Sequence, residues 1–287
     1  MAFFSLSGDQ QRSVFHCVCN LLDPRDAVAL SSVDRELWAS TQALLQQLKT
    51  KHEAAAALCL KVGKRSCKEL RETKAAHWFD KGLTAADLAL LGTLGSVLPA
   101  LEDLRLIESS KGATGPDGMQ RLAEVLSAGA LPTVTYLSIG HMHVGDAGAS
   151  ALAAALGRGA LPRLKTLFLA NGAITDAALV ALAPALRRLP ALEVLNLNCN
   201  PCGDEGLAAL VAPPLPASAP PTTTGVLTKL ERLSLCYTQV SDAGCAALAV
   251  AFDSGALPAL ELVYLGGAPA SDAAKAAVGR AGLEVKL

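Results

Sequence analysis

Apolar positions in the second half of the chain repeat one phrase: apolar-x-x-apolar-x-apolar, followed seven residues later by Asp. It reads Val134-x-x-Leu137-x-Ile139 with Asp146, then Leu164-x-x-Leu167-x-Leu169 with Asp176, then Leu192-x-x-Leu195-x-Leu197 with Asp204. Leu230-x-x-Leu233-x-Leu235 with Asp242 and Leu260-x-x-Val263-x-Leu265 with Asp272 complete the series. An earlier copy, Leu101-x-x-Leu104-x-Leu106, reaches Asp117 only after a longer loop. Successive copies begin 33, 30, 28, 38 and 30 residues apart, a period that signals a solenoid of stacked units. Alternate residues of a strand face one side, so positions 4 and 6 of the phrase point inward and positions 3 and 5 outward.

A further apolar residue at position 11 (Val144, Ile174, Cys202 or Val240) drops into the core after the turn. The Asp at position 13 then heads a helical pattern such as Leu152 and Leu156, or Leu179, Leu182 and Leu186. Its carboxylate is expected to cap that helix, because it accepts bonds from the first unpaired N–H groups and suits the positive end of the dipole. Gly129-Ala-Leu131-Pro132, Gly159-Ala-Leu161-Pro162 and Gly255-Ala-Leu257-Pro258 predict the helix ends, with Gly in a left-handed C-cap and the Leu packed inward. Each unit is therefore strand, turn, helix, turn, and none buries its apolar face without a neighbour.

These residues carry a resemblance to the leucine-rich repeat family, and the 28–30-residue period with a full helix resembles its ribonuclease-inhibitor-like subclass. The resemblance covers roughly residues 82–287. It implies an α/β solenoid with parallel strands on a concave face and helices on a convex one. The family places Asn, Cys or Thr at position 9, where the side chain bonds neighbouring turns. Asn200 and Thr238 match; Met142, Gly172 and Ala268 depart, so less regular turns are expected there.

Residues 1–48 do not fit the repeat and read as short helices around Gln10–Leu22, from Asp26 to Val33 and over Leu37–Leu48. The run Leu22-Asp23-Pro24-Arg25-Asp26-Ala-Val28-Ala-Leu30-Ser-Ser-Val33-Asp-Arg35-Glu-Leu37-Trp38 resembles the second half of the F-box. That family docks a small helical module onto the linker subunit of cullin ubiquitin ligases, often followed by leucine-rich repeats that hold the substrate. The resemblance implies docking through Leu22, Pro24, Asp26, Val28, Leu30, Val33, Leu37 and Trp38. The family's opening Leu-Pro is absent near Gln10-Gln11, Asp34 replaces Cys or Ser, and Trp38 falls one residue late. A second reading makes this segment a cap over the first repeat, since solenoid ends need polar cover.

Between the two, residues 49–81 form a basic connecting segment with nine Lys or Arg against four acids, Glu53, Glu69, Glu72 and Asp80. It reads as a solvated face, with nuclear import or phosphate contact as the functional alternatives. Residues 83–99 read as the helical half of an incomplete first repeat, for which Leu58 and Leu60 are expected to supply the strand. Residues 213–224, rich in Pro, are an insertion that explains the 38-residue interval. Leu283-Glu284-Val285-Lys286-Leu287 reads as a last strand whose charges discourage edge pairing.

Composition narrows the function classes. A net charge of −1 gives no electrostatic case for nucleic acid. No apolar run reaches the ~18 residues of a membrane span, and the N-terminus lacks the pattern of a signal peptide. Eight cysteines without secretory features point to reduced thiols and a cytoplasmic or nuclear protein.

No catalytic, metal or cofactor motif is complete. His52-Glu53 begins a zinc-protease pattern, but Ala56 stands where the second His belongs. Gly63-Lys64-Arg65-Ser66 imitates a phosphate loop whose leading Gly is replaced by Leu58. Cys199-Asn-Pro-Cys202 has redox spacing, yet Cys202 falls on a core position. His141 and His143 have no further metal ligand spaced to join them.

The working surface is then the row of outward strand positions. Position 3 carries Asp103, Tyr136, Thr166, Val194, Arg232 and Leu262; position 5 carries Arg105, Ser138, Phe168, Asn196, Ser234 and Tyr264. Asn198 and Tyr237 lie just beyond. All three tyrosines of the chain fall on this face or its rim. Aromatic and Arg side chains dominate binding hot spots, although strands favour aromatics in any case. The residues expected to hold a protein partner are Arg105, Tyr136, Phe168, Asn196, Asn198, Arg232, Tyr237 and Tyr264. The expectation is a non-catalytic interaction protein with an F-box-like front, without metal or cofactor. The alternatives are a small-GTPase regulator similar to the Ran GTPase-activating protein, or a plain repeat scaffold.

Overall fold

The computed structural model describes residues 35–95, 98, 100–108, 115–212, 227–280 and 283–286. Leu22, Pro24, Asp26, Val28, Leu30 and Val33, and the Pro-rich insertion 213–224, lie outside them. The chain divides into two compact units, Met1–Thr73 and Lys74–Leu287.

In the first unit, helix α1 runs over Arg35–Lys61, so the helix expected at Leu37–Leu48 continues well beyond it, and Leu37 and Trp38 lie in its first two turns. Ala55, Leu58 and Cys59 are its buried residues of the last turns, while Leu60 is exposed. The expectation that Leu58 and Leu60 form a strand is therefore wrong. The Glu-Ala-Ala-Ala-Ala-Leu run preceding them is composed of strong helix formers, and intrinsic propensity prevails over two isolated leucines. Helix α2 follows at Cys67–Arg71, capped by the Ser66 hydroxyl accepting from Glu69 N.

The second unit alternates strands and helices without exception. Strand β1 (Ala75–Phe79) is followed by α3 (Ala85–Gly95), β2 (Asp103–Ile107), α4 (Gly115–Ser127), β3 (Tyr136–Ser138) and α5 (Gly145–Gly157). Then come β4 (Thr166–Phe168), α6 (Asp176–Leu186), β5 (Val194–Asn196), α7 (Asp204–Val211), β6 (Arg232–Ser234) and α8 (Asp242–Asp253). Strand β7 (Leu262–Tyr264), α9 (Asp272–Arg280) and β8 (Glu284–Lys286) end the series. All strands pair in parallel, in chain order from β1 to β8, which leaves an open sheet at both ends. This is the leucine-rich repeat solenoid: strands on the concave face, consecutive helices packed side by side on the convex one.

Inward leucines of the phrase are buried completely; Leu104, Leu106, Leu167, Leu195, Leu197 and Leu233 are all 0% exposed. Leu131, Leu161 and Leu257 of the Gly-Ala-Leu-Pro ends are buried too, and Gly129, Gly159 and Gly255 adopt φ of 83°, 88° and 73° as expected.

The role of the Asp at position 13 differs from expectation. It sits in the first turn of its own helix, and its carboxylate reaches across to the next repeat. Asp146 accepts from the Thr175 N–H and hydroxyl, and Asp176 accepts from Gly203 N and Gly206 N at 2.6 and 2.9 Å. Asp204 accepts from Ser241 N and Gly244 N at 2.8 and 2.9 Å, and Asp242 from Ser271 N. Each carboxylate thus caps the following helix, where the unpaired N–H groups and the dipole favour an anion. Close approach requires the third helical residue to be small. A Cβ on Gly206 would stand 2.7 Å from Asp176 Oδ1 and 3.0 Å from Leu179 Cβ.

Turns after the strands hold a second set of cross-links. The buried Asn200 accepts from Gly172 N and Ile174 N through Oδ1, and donates from Nδ2 to the Leu169, Leu197 and Asn198 carbonyls. Thr238 bonds the Leu235 carbonyl. At Ala268, where position 9 has no polar side chain, the buried Lys275 Nζ bonds the Ala268 carbonyl instead. At the other end, the buried Glu108 carboxylate accepts from Lys81 N, Gly82 N and Leu83 N, fixing the first turn.

Candidate protein-interaction surface

The register of the sheet lines up the outward residues as the phrase implies. One row runs Ala75, Asp103, Tyr136, Thr166, Val194, Arg232, Leu262, Glu284, and the next His77, Arg105, Ser138, Phe168, Asn196, Ser234, Tyr264, Lys286. Neighbouring strands are about 4.8 Å apart, so residues adjacent in a row touch.

In the first four strands these contacts join into one cluster. Arg105 Nε and Nη2 donate to the two carboxylate oxygens of Asp103 at 3.0 and 2.8 Å, and His77 Nε2 lies 3.1 Å from Asp103 Oδ2. The Arg105 guanidinium sits 4.3 Å over the Tyr136 ring, and Tyr136 stacks on Phe168 with centroids 5.4 Å apart and planes 24° apart. His77 meets Phe79 edge to face, and Phe79 is 48% exposed. Burial of Asp103 opposes its ionisation, but hydrogen bonds from Arg105 and His77 outweigh it and hold the carboxyl below its ordinary pKa. Tyr136 is shifted up, chiefly by burial. The patch is thus aromatic and internally neutralised, and both rings remain partly exposed.

His77 and Phe79 were not among the expected residues. Their strand carries Ala76 and Trp78 in place of the leucines at positions 4 and 6, both buried, so the leucine count hid it. The signal available was spacing: Ala76 and Trp78 stand 28 residues before Leu104 and Leu106, with Leu83 at position 11.

The later strands are arranged differently. Asn196 Oδ1 accepts from Asn198 N, and Asn198 Oδ1 accepts from Cys236 N, so both amides hold the turn through their oxygens. Arg232 is exposed. Tyr264 is half-buried with Lys286 Nζ 5.7 Å from its ring centroid. Tyr237, 69% exposed at φ 55°, lies over the backbone of Gly267, where a Cβ would collide with its ring.

Position 8, just after the strand, is left-handed through most of the solenoid: His141, Asn171, Cys199 and Tyr237 have φ between 52° and 62°. Cys199 is exposed in that turn, whereas Cys202 is fully buried and its thiol is pushed up to about 12, first by burial. The two are placed as surface and core residues. His141 Nδ1 pairs with Asn171 Nδ2 at 2.8 Å. Among the described residues no group of three His, Cys, Asp or Glu is placed to hold a metal, and no helix is long and apolar enough to cross a membrane.

A family model described as leucine-rich repeat matches residues 130–153 and 189–211. No curated protein sequence matches the chain significantly. Among solved structures, an internalin from Listeria monocytogenes is similar over 81% of this chain and 93% of its own, at 13% identity and a TM-score of 0.27. The repeating phrase, the parallel sheet in chain order and the family match agree: the chain carries leucine-rich repeats and folds as their solenoid, an architecture suited to holding a protein partner.

Proposed function

We propose that the protein is a non-catalytic adaptor that holds a protein partner on its concave face, with residues 1–48 acting as an F-box-like docking segment for the linker subunit of a cullin ubiquitin ligase. The cytoplasm or nucleus is the setting this requires. The observation that carries the binding reading is the contiguous Arg105–Tyr136–Phe168 stack, held in place by Asp103. Preorganised aromatic and Arg side chains lose little entropy on binding, and such residues dominate hot spots. Arg232, Tyr237 and Tyr264 extend the same face, where Asn196 and Asn198 accept turn N–H groups through their amide oxygens. The adaptor reading is supported by the F-box-like run from Leu22 to Trp38 and by the order of the two regions.

The test is affinity capture with the full chain, with a chain lacking residues 1–48, and with Phe168→Ala. Ligase subunits captured only when residues 1–48 are present, together with other proteins lost on Phe168→Ala, are the expected result. Capture that is indifferent to both changes rejects the adaptor. Stimulated GTP hydrolysis across a panel of small GTPases would favour the regulator reading instead.

A further inference from the structure

Four basic side chains occupy the outward strand positions, and their partners divide them. His77 and Arg105 both engage Asp103, and Lys286 Nζ lies 3.4 Å from Glu284 Oε1. Arg232 donates its backbone N–H to the Glu193 carbonyl, but its exposed guanidinium makes no hydrogen bond or ion pair among the described residues. Its row neighbours are Val194 in β5 and Leu262 in β7, with Tyr264 two residues further along β7 in the other outward row. The residue that carries this guanidinium therefore stands between two aliphatic residues in its row, diagonal to Tyr264, in a region of the face where no described carboxylate pairs with it.

We propose that Arg232 receives an Asp or Glu side chain of the protein partner, presented next to an apolar residue that packs on Val194, Leu262 and Tyr264. This rests on the reading of the concave face as the partner-binding surface. A planar guanidinium matches a carboxylate with two parallel hydrogen bonds and is more weakly hydrated than an ammonium. Apolar flanks exclude water when a partner seats, which strengthens the pair.

The surroundings also set a limit on the partner's charge. Glu193, Glu231 and Glu261 stand at position 2 of the repeated phrase, immediately before β5, β6 and β7, stacked through backbone bonds from Glu231 N to Glu193 O and from Glu261 N to Glu231 O. Lys165 Nζ pairs with the first of them at 2.8 Å. A second acid on that side of the partner would meet this row and be repelled. The site thus selects one carboxylate with a neutral or basic neighbour, and rejects an acidic run.

The test uses the full chain and a phage-displayed library of random linear peptides as the probe. Selected peptides are resynthesised with each Asp or Glu changed to Asn or Gln. They are then titrated against the native chain, Arg232→Ala, Arg232→Lys and Phe168→Ala, after melting curves show each variant folded. The expected result is an acid whose amide form binds the native chain about tenfold more weakly or worse, as for a charge-assisted pair. The same change should have no effect on Arg232→Ala, with part of the loss recovered in Arg232→Lys. Peptides weakened by Phe168→Ala but indifferent to Arg232→Ala would overturn the carboxylate site and leave the concave face as a binding surface. Peptides indifferent to both variants would overturn both readings.

Discussion

The two halves of the concave face share one backbone and differ in how they treat charge. From β1 to β4 the side chains answer one another: His77 and Arg105 share Asp103, and Arg105 lies on Tyr136, which lies on Phe168. From β5 to β8 the amide oxygens of Asn196 and Asn198 support turns, and Arg232 rises unanswered between Val194 and Leu262. Inward positions cannot differ in this way, because a close-packed core admits only apolar side chains there, whether the usual Leu or the Ala76 and Trp78 of β1. The repeat fixes where an outward side chain stands and leaves its chemistry open, so one scaffold carries a preassembled patch beside an available cation.

The sharpest way to break the comparison is to damage the strand at which the halves meet. Leu195 is 0% exposed in β5, and Leu195→Ala should cost ~2–5 kcal/mol in chemical denaturation by opening a core cavity. A protein that melts normally after this change would refute the inward assignment of position 4.

On the convex side, Gly206→Ala forces a methyl against Asp176 Oδ1 and Leu179 Cβ, and should cost ~1–3 kcal/mol. The same measurement on Ala212→Gly, outside the carboxylate contacts, serves as the control and should move little.

Paired truncations then sharpen the contrast between the halves. Arg105→Ala leaves Asp103 without its bidentate partner and removes the cation from Tyr136, and should cost about 1–2 kcal/mol. Arg232→Ala should fall within about 0.5 kcal/mol of the native chain, as exposed substitutions do. Equal losses in the two would erase the distinction.

The smallest effect is pH-dependent. Asp103 has a depressed pKa when folded, so the stability it contributes is complete above the unfolded carboxylate pKa of ~3.9 and lost as pH falls through the folded value. The gap in melting temperature between native chain and Asp103→Asn should accordingly be constant near neutral pH and close on acidification. A gap that widens in acid would show that Asp103 is not held ionised by its neighbours.

Much of this was legible in the sequence because the repeat states it several times over. Strand positions, buried leucines, Gly C-caps and the two outward rows followed from the phrase alone, and the register agrees with them residue by residue. The first strand was hidden where Ala76 and Trp78 replace leucine, and with it His77 and Phe79. Leu58 and Leu60 misled because two apolar residues at strand spacing say less than the Ala-rich run around them. The Asp at position 13 was recognised as a cap but assigned to its own helix. A carboxylate's reach to the adjacent repeat depends on how closely the helices pack, and the signal was the Gly two residues after the Asp, at Gly206 and Gly244. Internal pairing of Arg105 and the openness of Arg232 depend on rotamers, which spacing does not encode.

The cross-repeat carboxylates give the molecule a direction. Each helix start from Thr175 onward is completed by the unit before it, and each unit's own Asp serves the one after. Trimming from the C-terminus strands only an acceptor, which water satisfies at little cost. Trimming from the N-terminus strands backbone donors at the head of the next helix, so erosion from that side should propagate. The array is polar in its tolerance of loss, and shorter forms of this protein should survive by keeping its beginning.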